Sequence, residues 1–125
     1  MKLLLDSHVL LWWLEDNPML GAEARRQIAH RGNAVHYSAA TVWELGVKEA
    51  KGKLRLGPDF DTKLMRESII PLDVTPRHAR TAAALPMIHR DPFDRMLVAQ
   101  CLVEGLTFVT SDGVLAEYGI QWLAA

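Results

Sequence analysis

The sequence predicts an α/β fold with three layers, in which helices flank a short central parallel sheet. Short apolar runs typical of buried strands alternate along the chain with longer segments of helical character. Strands that alternate with helices form a parallel sheet whose two faces the helices cover. Half of the 125 residues are hydrophobic, and no linker or repeat interrupts them, so we expect one domain over residues 1–125.

The first half of the chain is expected to contain two strands and three helices. The strands are the short apolar runs at residues 2–5 and 34–37. The helices span residues 8–14, 21–30 and 39–51, and a proline or glycine follows the end of each. In the third of these helices the expected buried stripe consists of Ala40, Trp43, Val47 and Ala50. Glu44 lies at the border of this stripe, where an isolated Glu is most often an ordinary boundary residue.

The second half is expected to contain three strands, at residues 69–72, 107–110 and 121–123. Helices are expected at 59–67, at 76–85, at 92–104 and, as a short segment, through Tyr118. The helix at 92–104 is mostly apolar on every side, which indicates a core position. Asp91 caps it and Pro92 fits its first position. On this stretch alone, a functional role and simple complementation of the helix dipole explain Asp91 and Asp94 equally well.

The helix at 8–14 carries five consecutive apolar residues, Leu10 to Leu14, with Trp12 and Trp13 among them. Successive helical residues point about 100° apart, so these side chains cover the whole circumference. Either the helix is sandwiched within the domain, or one tryptophan faces a partner chain. We expect a partner chain, for instance in a homodimer.

Composition excludes several classes of protein. The net charge of −1 gives no global positive field of the kind that marks many nucleic-acid binders, so any such binding requires a local patch. Asp6 interrupts the opening apolar run, so the N-terminus does not resemble a signal peptide. No apolar segment approaches the ~20 residues that span a bilayer. The single cysteine, Cys101, is expected to be a packing residue. We therefore expect a cytoplasmic protein that does not act at a membrane.

Four carboxylates are expected to meet at one edge of the sheet: Asp6, Glu44, Asp94 and Asp112. Asp6 and Asp112 come at or just after the ends of strands, Glu44 is in the second turn of its helix and Asp94 in the first, so all lie near the carboxyl ends of the strands, where ligands bind. Carboxylates so close together repel one another unless a divalent cation holds them. All-oxygen ligation suits Mg²⁺ or Mn²⁺, which activate water for phosphodiester displacement. The histidines (8, 30, 36, 78 and 89) show no zinc-type spacing and receive no ligand role.

These residues carry a family resemblance. The chain resembles the PIN-domain nucleases and, within them, the VapC-like toxins of bacterial toxin–antitoxin pairs. The matching segments are Leu-Leu-Leu-Asp-Ser-His-Val-Leu-Leu-Trp-Trp, Val-Trp-Glu-Leu, Gly-Lys-Leu, Arg-Asp-Pro-Phe-Asp-Arg with Leu-Val-Ala-Gln, and Val-Thr-Ser-Asp, at residues 3–13, 42–45, 52–54, 90–100 and 109–112. They follow the family's order over nearly the whole chain.

The resemblance implies a PIN-like fold and an endoribonuclease with an acidic Mg²⁺ or Mn²⁺ site. It further implies a small antitoxin that inhibits the enzyme and binds operator DNA. Carried over residue by residue, the acidic quartet is Asp6, Glu44, Asp94 and Asp112, with Ser7 and Thr110 as hydroxyls beside it. Asp94 rather than Asp91 aligns with the third acid, which leaves Asp91 to the backbone or to an outer-shell role. RNA would be held by local cations, first among them Lys48, Lys51, Lys53 and Arg95.

Three other interpretations compete with this one. A response-regulator receiver needs an adjacent acidic pair after its first strand and a late lysine, and neither is present. A haloacid-dehalogenase-type phosphatase needs Asp-x-Asp, but position 8 is His. A non-catalytic PIN module that only binds RNA or protein is the more serious alternative. Its usual mark is the loss of a quartet acid, and none is missing here.

Overall fold

A computed structural model describes all of residues 1–125. Its sheet has five parallel strands in the order β3-β2-β1-β4-β5. The strands are β1 Lys2–Leu5, β2 Ala34–Ser38, β3 Ile70–Leu72, β4 Thr107–Thr110 and β5 Gln121–Ala124. The helices are α1 Ser7–Leu14, α2 Ala22–Ala29, α3 Ala39–Ala50, α4 Phe60–Arg66, α5 Pro76–Ala84, α6 Pro92–Glu104 and a 3₁₀ helix, Gly113–Tyr118. None of these helices has the length and apolar character needed to cross a membrane.

Strand β1 lies at the centre of the sheet, between β2 and β4. Its residues Leu3, Leu4 and Leu5 are completely buried, as expected of a central parallel strand covered on both faces. Strands β2 and β3 lie on one side of β1, whereas β4 and β5, which come later in the chain, lie on the other side. This change of direction creates a crevice beyond the carboxyl ends of β1 and β4, where open α/β sheets bind ligands.

Side chains that alternate along the central strands divide the core between two layers of helices. Leu3 and Leu5 pack in a cluster with residues of α1, α2, α3 and α4, whereas Leu4 packs on the other face with residues of α6 and the 3₁₀ helix. The same alternation separates Phe108 from Val109 in β4. The predicted three-layer α/β fold is therefore confirmed, and each predicted element is present with its ends shifted by no more than one residue.

Helix α3 presents a different face to the core from the one that its apolar pattern predicts. Trp43, placed by that pattern in the buried stripe, is 68% exposed, whereas Glu44 is only 5% exposed. The buried positions are Ala40, Thr41, Glu44 and Leu45. The buried face is centred on the Glu44 and Leu45 side, and at about 100° per residue this leaves Trp43 at its outer border. The prediction is confirmed for Ala40 and wrong for Trp43 and Ala50, because a charged residue, satisfied by its own partners, occupies the inward face.

Helix α1 is partly covered rather than sandwiched. Val9 and Leu10 are buried, whereas Leu11, Trp12, Trp13 and Leu14 are partly buried and pack against the larger core cluster. The helix therefore keeps apolar surface, including parts of both indoles, at the outside of the domain.

Candidate active site

The carboxylate of Asp6 is fixed at the end of the central strand. Asp6 follows β1 directly and is 7% exposed. One of its oxygens caps α1 by accepting the backbone N–H of His8 at 2.9 Å. The other accepts the hydroxyl of Thr110, at the end of the adjacent strand β4, at 2.6 Å. Because both contacts come from backbone-fixed positions, Asp6 is held at the crevice between β1 and β4.

Glu44 reaches the same crevice from the first half of α3. Its carboxylate is buried, and Lys48, one turn later in the helix, donates to it at 2.9 Å. The Ser7 hydroxyl donates to the other carboxylate oxygen. The hydrogen bond with Glu44 raises the pKa of Lys48 above its ordinary value, since it favours the charged ammonium. A buried glutamate is thus neutralised by a lysine and oriented by a serine that follows Asp6 in sequence.

Asp91 and Asp94 have different roles at the start of α6. Asp91 caps the helix, accepting the backbone N–H groups of Phe93 at 2.8 Å and of Asp94 at 3.4 Å. The carboxylate of Asp94 accepts no hydrogen bond within the chain. Burial, followed by the negative charges of Asp91 and Asp6, raises the pKa of Asp94 to about 7, and the charge of Glu44 acts in the same direction. Asp94 therefore lies among like charges and accepts no hydrogen bond, and the His89 ring, 3.6 Å away, is the group that offsets those charges.

Asp112 follows β4 and completes the acidic edge. Its backbone N–H donates to the Thr110 hydroxyl at 3.1 Å, so Thr110 links Asp112 to Asp6. One carboxylate oxygen caps the 3₁₀ helix through Val114 N–H at 3.2 Å, and the other faces His89. The four predicted acids thus lie at one edge of the sheet, with Ser7, Thr110 and Lys48 attached to them.

His89 is part of this site although sequence patterns predict no role for it. Its Nε2 lies 3.3 Å from Asp112 and 3.6 Å from Asp94. Its Nδ1 accepts the backbone N–H of Asp91 at 3.1 Å, so the neutral ring carries its proton on Nε2. His89 therefore offers the two carboxylates a hydrogen-bond donor or a positive charge, and its charge lowers the pKa of Asp94 against the other influences. Histidine spacing gave no sign of this role, because it depends on a loop that folds back over α6.

Arg95 is not available to RNA, contrary to the expectation from sequence. It is 9% exposed, and its two terminal nitrogens donate to backbone carbonyls in and after the last turn of α5. These acceptors are the oxygens of Ala82 at 3.0 Å, Leu85 at 3.0 Å, Pro86 at 2.9 Å and His89 at 3.3 Å. The guanidinium thus neutralises a helix C-terminus and ties the loop that carries His89 to α6.

Comparisons with known proteins agree with this geometry. The sequence matches the PIN domain over residues 3–121. It is 31% identical over 118 residues to Ribonuclease VapC22 of Mycobacterium tuberculosis, an alignment that covers 92% of this chain and 90% of that protein. The fold is similar to VapBC2 of Rickettsia felis, solved with a promoter DNA fragment, with a TM-score of 0.73, 15% identity and coverage of 99% and 98% of the two chains. VapBC-1 of nontypeable Haemophilus influenzae aligns with a TM-score of 0.69, 16% identity and the same coverage. The chain therefore belongs to the PIN-domain family.

Proposed function

We propose that this protein is a metal-dependent endoribonuclease that serves as the toxin of a toxin–antitoxin pair. The observation that carries the proposal is Asp94, a carboxylate without a hydrogen bond that is surrounded by other acids at the crevice of the sheet. Such an arrangement is unfavourable unless a cation binds there. The similarity to Ribonuclease VapC22 supports RNA as the substrate.

The donor set fits Mg²⁺ or Mn²⁺. The groups at the crevice are carboxylate oxygens, which these hard cations prefer and which keep a lone pair beside each hydrogen bond that they accept. The neutral His89 ring directs a proton, not a lone pair, at Asp94 and Asp112. Asp6, Asp94 and Asp112 would hold the ion, and Glu44 would complete the shell or position the attacking water. The ion would lower the pKa of a bound water and stabilise negative charge on the phosphate.

The other residues of the site keep these acids in place. Ser7 and Lys48 fix the two oxygens of Glu44, and Thr110 joins Asp6 to the backbone of Asp112. Asp91 holds the first turn of α6, and with it Asp94. We assign to Asp91 this positioning role and not that of a metal ligand.

RNA cleavage by the isolated chain is expected to require a divalent cation. EDTA should abolish hydrolysis of single-stranded RNA, and Mg²⁺ or Mn²⁺ added in excess should restore it, because the acids alone cannot activate water. Asp112→Asn should lower turnover by orders of magnitude, whereas the exposed Asp61→Asn on α4 should not. The measurement is the cleavage rate on gels. A well-folded chain that binds RNA without cleaving it under any metal would favour the non-catalytic PIN module.

We propose an antitoxin and a second copy of the chain as protein partners, with operator DNA bound only through the antitoxin. The structural neighbours solved as VapBC assemblies, one of them with promoter DNA, support this proposal. The partly exposed Trp12 and Trp13 of α1 offer a surface for such contacts.

Truncation of these tryptophans is expected to weaken association. A tryptophan buried in an interface often costs about 2 kcal/mol or more when replaced by alanine, which corresponds to roughly 30-fold in Kd. Analytical ultracentrifugation of Trp12→Ala and Trp13→Ala, alone and with the small protein that co-purifies from the host, measures the effect. Unchanged association in both variants would assign α1 to the core alone.

A further inference from the structure

An aromatic pair, an exposed indole on a half-buried phenyl ring, borders the acidic edge. Trp43 and Phe93 are in edge-to-face contact, with ring centroids 5.0 Å apart and an interplanar angle of 70°. Trp43 immediately precedes Glu44 in α3, and Phe93 immediately precedes Asp94 in α6. The same two helices therefore place two carboxylates inside the crevice and two rings just outside it. The indole is 68% exposed, which is unusual for the largest apolar side chain.

Two grooves meet at this pair. The first, of about 450 Å³, is apolar and is lined by Ala39, Trp43, Val74, Phe93 and Met96 among others. The second, of about 360 Å³, is lined by Glu44 and by the cations Lys48, Lys51, Lys53 and Arg90. Pro92 and Phe93 line both grooves, so the two grooves are adjacent at the start of α6.

Three of the four cations that line the second groove have no acidic partner. Lys48 is paired with Glu44, but Lys51, Lys53 and Arg90 are exposed and form no salt bridge. An unpaired cluster of this kind, beside a cation-binding acidic edge, is complementary to phosphates and not to a neutral apolar surface. Single-stranded nucleic acid also binds through its bases, which stack on flat aromatic rings. A ring next to such a cation cluster provides this second kind of contact.

We propose that Trp43, backed by Phe93, is a stacking platform for a base of the RNA substrate, and that Lys51, Lys53 and Arg90 bind the adjoining phosphates. This inference rests on the proposed ribonuclease function and extends it to substrate binding. A strand that lies in both grooves contacts Trp43 in the first and passes Glu44 in the second, so stacking at Trp43 sets which phosphate reaches the acids. Trp43 is thus a positioning residue and makes no contact with the reacting atoms.

The test is a thermodynamic cycle between the indole and the bases. Fluorescence anisotropy measures the Kd of a labelled, mixed-sequence single-stranded RNA, and of an abasic strand with the same phosphates, in the Asp94→Asn background so that the RNA stays intact. Trp43→Ala is expected to weaken binding of the normal RNA roughly tenfold, the loss of one stacked base. It should leave the abasic strand unchanged, because that strand has nothing to stack. Trp43→Phe should recover most of the affinity.

Salt dependence separates the two halves of the surface. Lys51→Ala with Lys53→Ala should make the log–log dependence of affinity on salt shallower by about 0.7 for each phosphate that the variant no longer binds, whereas Trp43→Ala should leave the slope unchanged. Met65→Ala, which removes an 85% exposed apolar side chain on α4, is the matched control and should change neither quantity.

The outcomes are distinct. If the parent chain cleaves RNA but Trp43→Ala binds normal and abasic strands as the parent does, the stacking proposal is wrong and the ribonuclease proposal stands. If Trp43→Ala instead alters only sedimentation, the surface is a protein interface, which also overturns the stacking proposal. A parent chain that neither binds nor cleaves RNA overturns both proposals.

Discussion

Asp94→Asn is expected to reduce RNA cleavage by several orders of magnitude while making the metal-free protein more stable at neutral and alkaline pH. The loss of activity follows from removing a negatively charged ligand of the proposed ion. The gain in stability follows because the carboxylate makes no hydrogen bond that the amide would lose, and it is repelled by Asp91, Asp6 and Glu44. A change that inactivates an enzyme and stabilises its fold indicates a residue kept for function.

The pH dependence of this effect has a definite sign. The pKa of Asp94 is about 7 in the folded chain, against an ordinary value of 3.8. Between these two values the folded state retains a proton that the unfolded state has lost, so the free energy of unfolding falls as pH rises through this window. Above pH 7 the difference levels off. A tenfold change in a proton's binding constant corresponds to about 1.4 kcal/mol, so the full effect is at most about 4 kcal/mol, and Asp94→Asn removes it.

Thermal melts of the parent and of Asp94→Asn across this pH range, in EDTA and with added Mg²⁺ or Mn²⁺, measure the destabilisation by the Asp94 charge and the stabilisation by the bound metal. A metal at a hundredfold excess over its Kd should stabilise the parent by about 2.7 kcal/mol and the variant much less. A variant that melts below the parent in EDTA, with an equal metal-induced rise in both, would show that the acids do not converge. Near-normal cleavage by Asp94→Ala, alongside an inactive but folded Asp91→Ala, would exchange the roles assigned to these two residues.

Arg95→Ala is expected to lower the free energy of unfolding by about 3 kcal/mol or more. The substitution removes donors to four backbone carbonyls in and beyond the last turn of α5. The buried carbonyl of Ala82, left unpaired, costs about 1–3 kcal/mol, and the three part-buried carbonyls add less each. It also removes the positive charge at the C-terminus of that helix. Urea unfolding monitored by circular dichroism measures the loss.

Two further variants control this result. Arg95→Lys keeps the positive charge, but one ammonium cannot replace both terminal nitrogens of the guanidinium. Its free energy of unfolding should therefore lie between those of the parent and Arg95→Ala. Arg77→Ala removes an exposed arginine of α5 and should change stability by no more than about 0.5 kcal/mol. If Arg95→Ala unfolds like the parent but loses affinity for RNA, the arginine contacts substrate after all.

Sequence patterns predicted the elements of this fold well because its central strands β1 and β4 are buried apolar runs and several of its helices end next to glycine or proline. The failures lie where a charged side chain enters the interior. Glu44 occupies the inward face of α3 because Lys48 and Ser7 satisfy it, and this turns Trp43 outward. Hydrophobic periodicity cannot anticipate such an inversion, since it assumes that charge lies outside.

Arg95 and His89 show a second limit of prediction. Arg95 lies in a segment that the family resemblance connects with the site, yet its partners are carbonyls of the preceding loop. His89 reaches the acids only because that loop folds back towards the 3₁₀ helix. There the backbone N–H of His89 donates to the hydroxyl of Tyr118 at 2.8 Å. Both roles depend on the path of an irregular segment, for which one sequence offers no periodic signal.

The hydrogen bond between Thr110 and Asp6 joins residues separated by 104 positions. Strand β1, which ends just before Asp6, leaves the ribosome before its neighbour β4 is synthesised. Contacts between residues so far apart in sequence form late and lower the rate of folding. A nascent chain that already carries Asp6, Glu44 and Asp94 therefore still lacks Asp112 and the anchor for Asp6. We therefore expect the nascent chain to cleave no RNA, neither at the ribosome nor in the message that encodes it, until β4 has paired with β1.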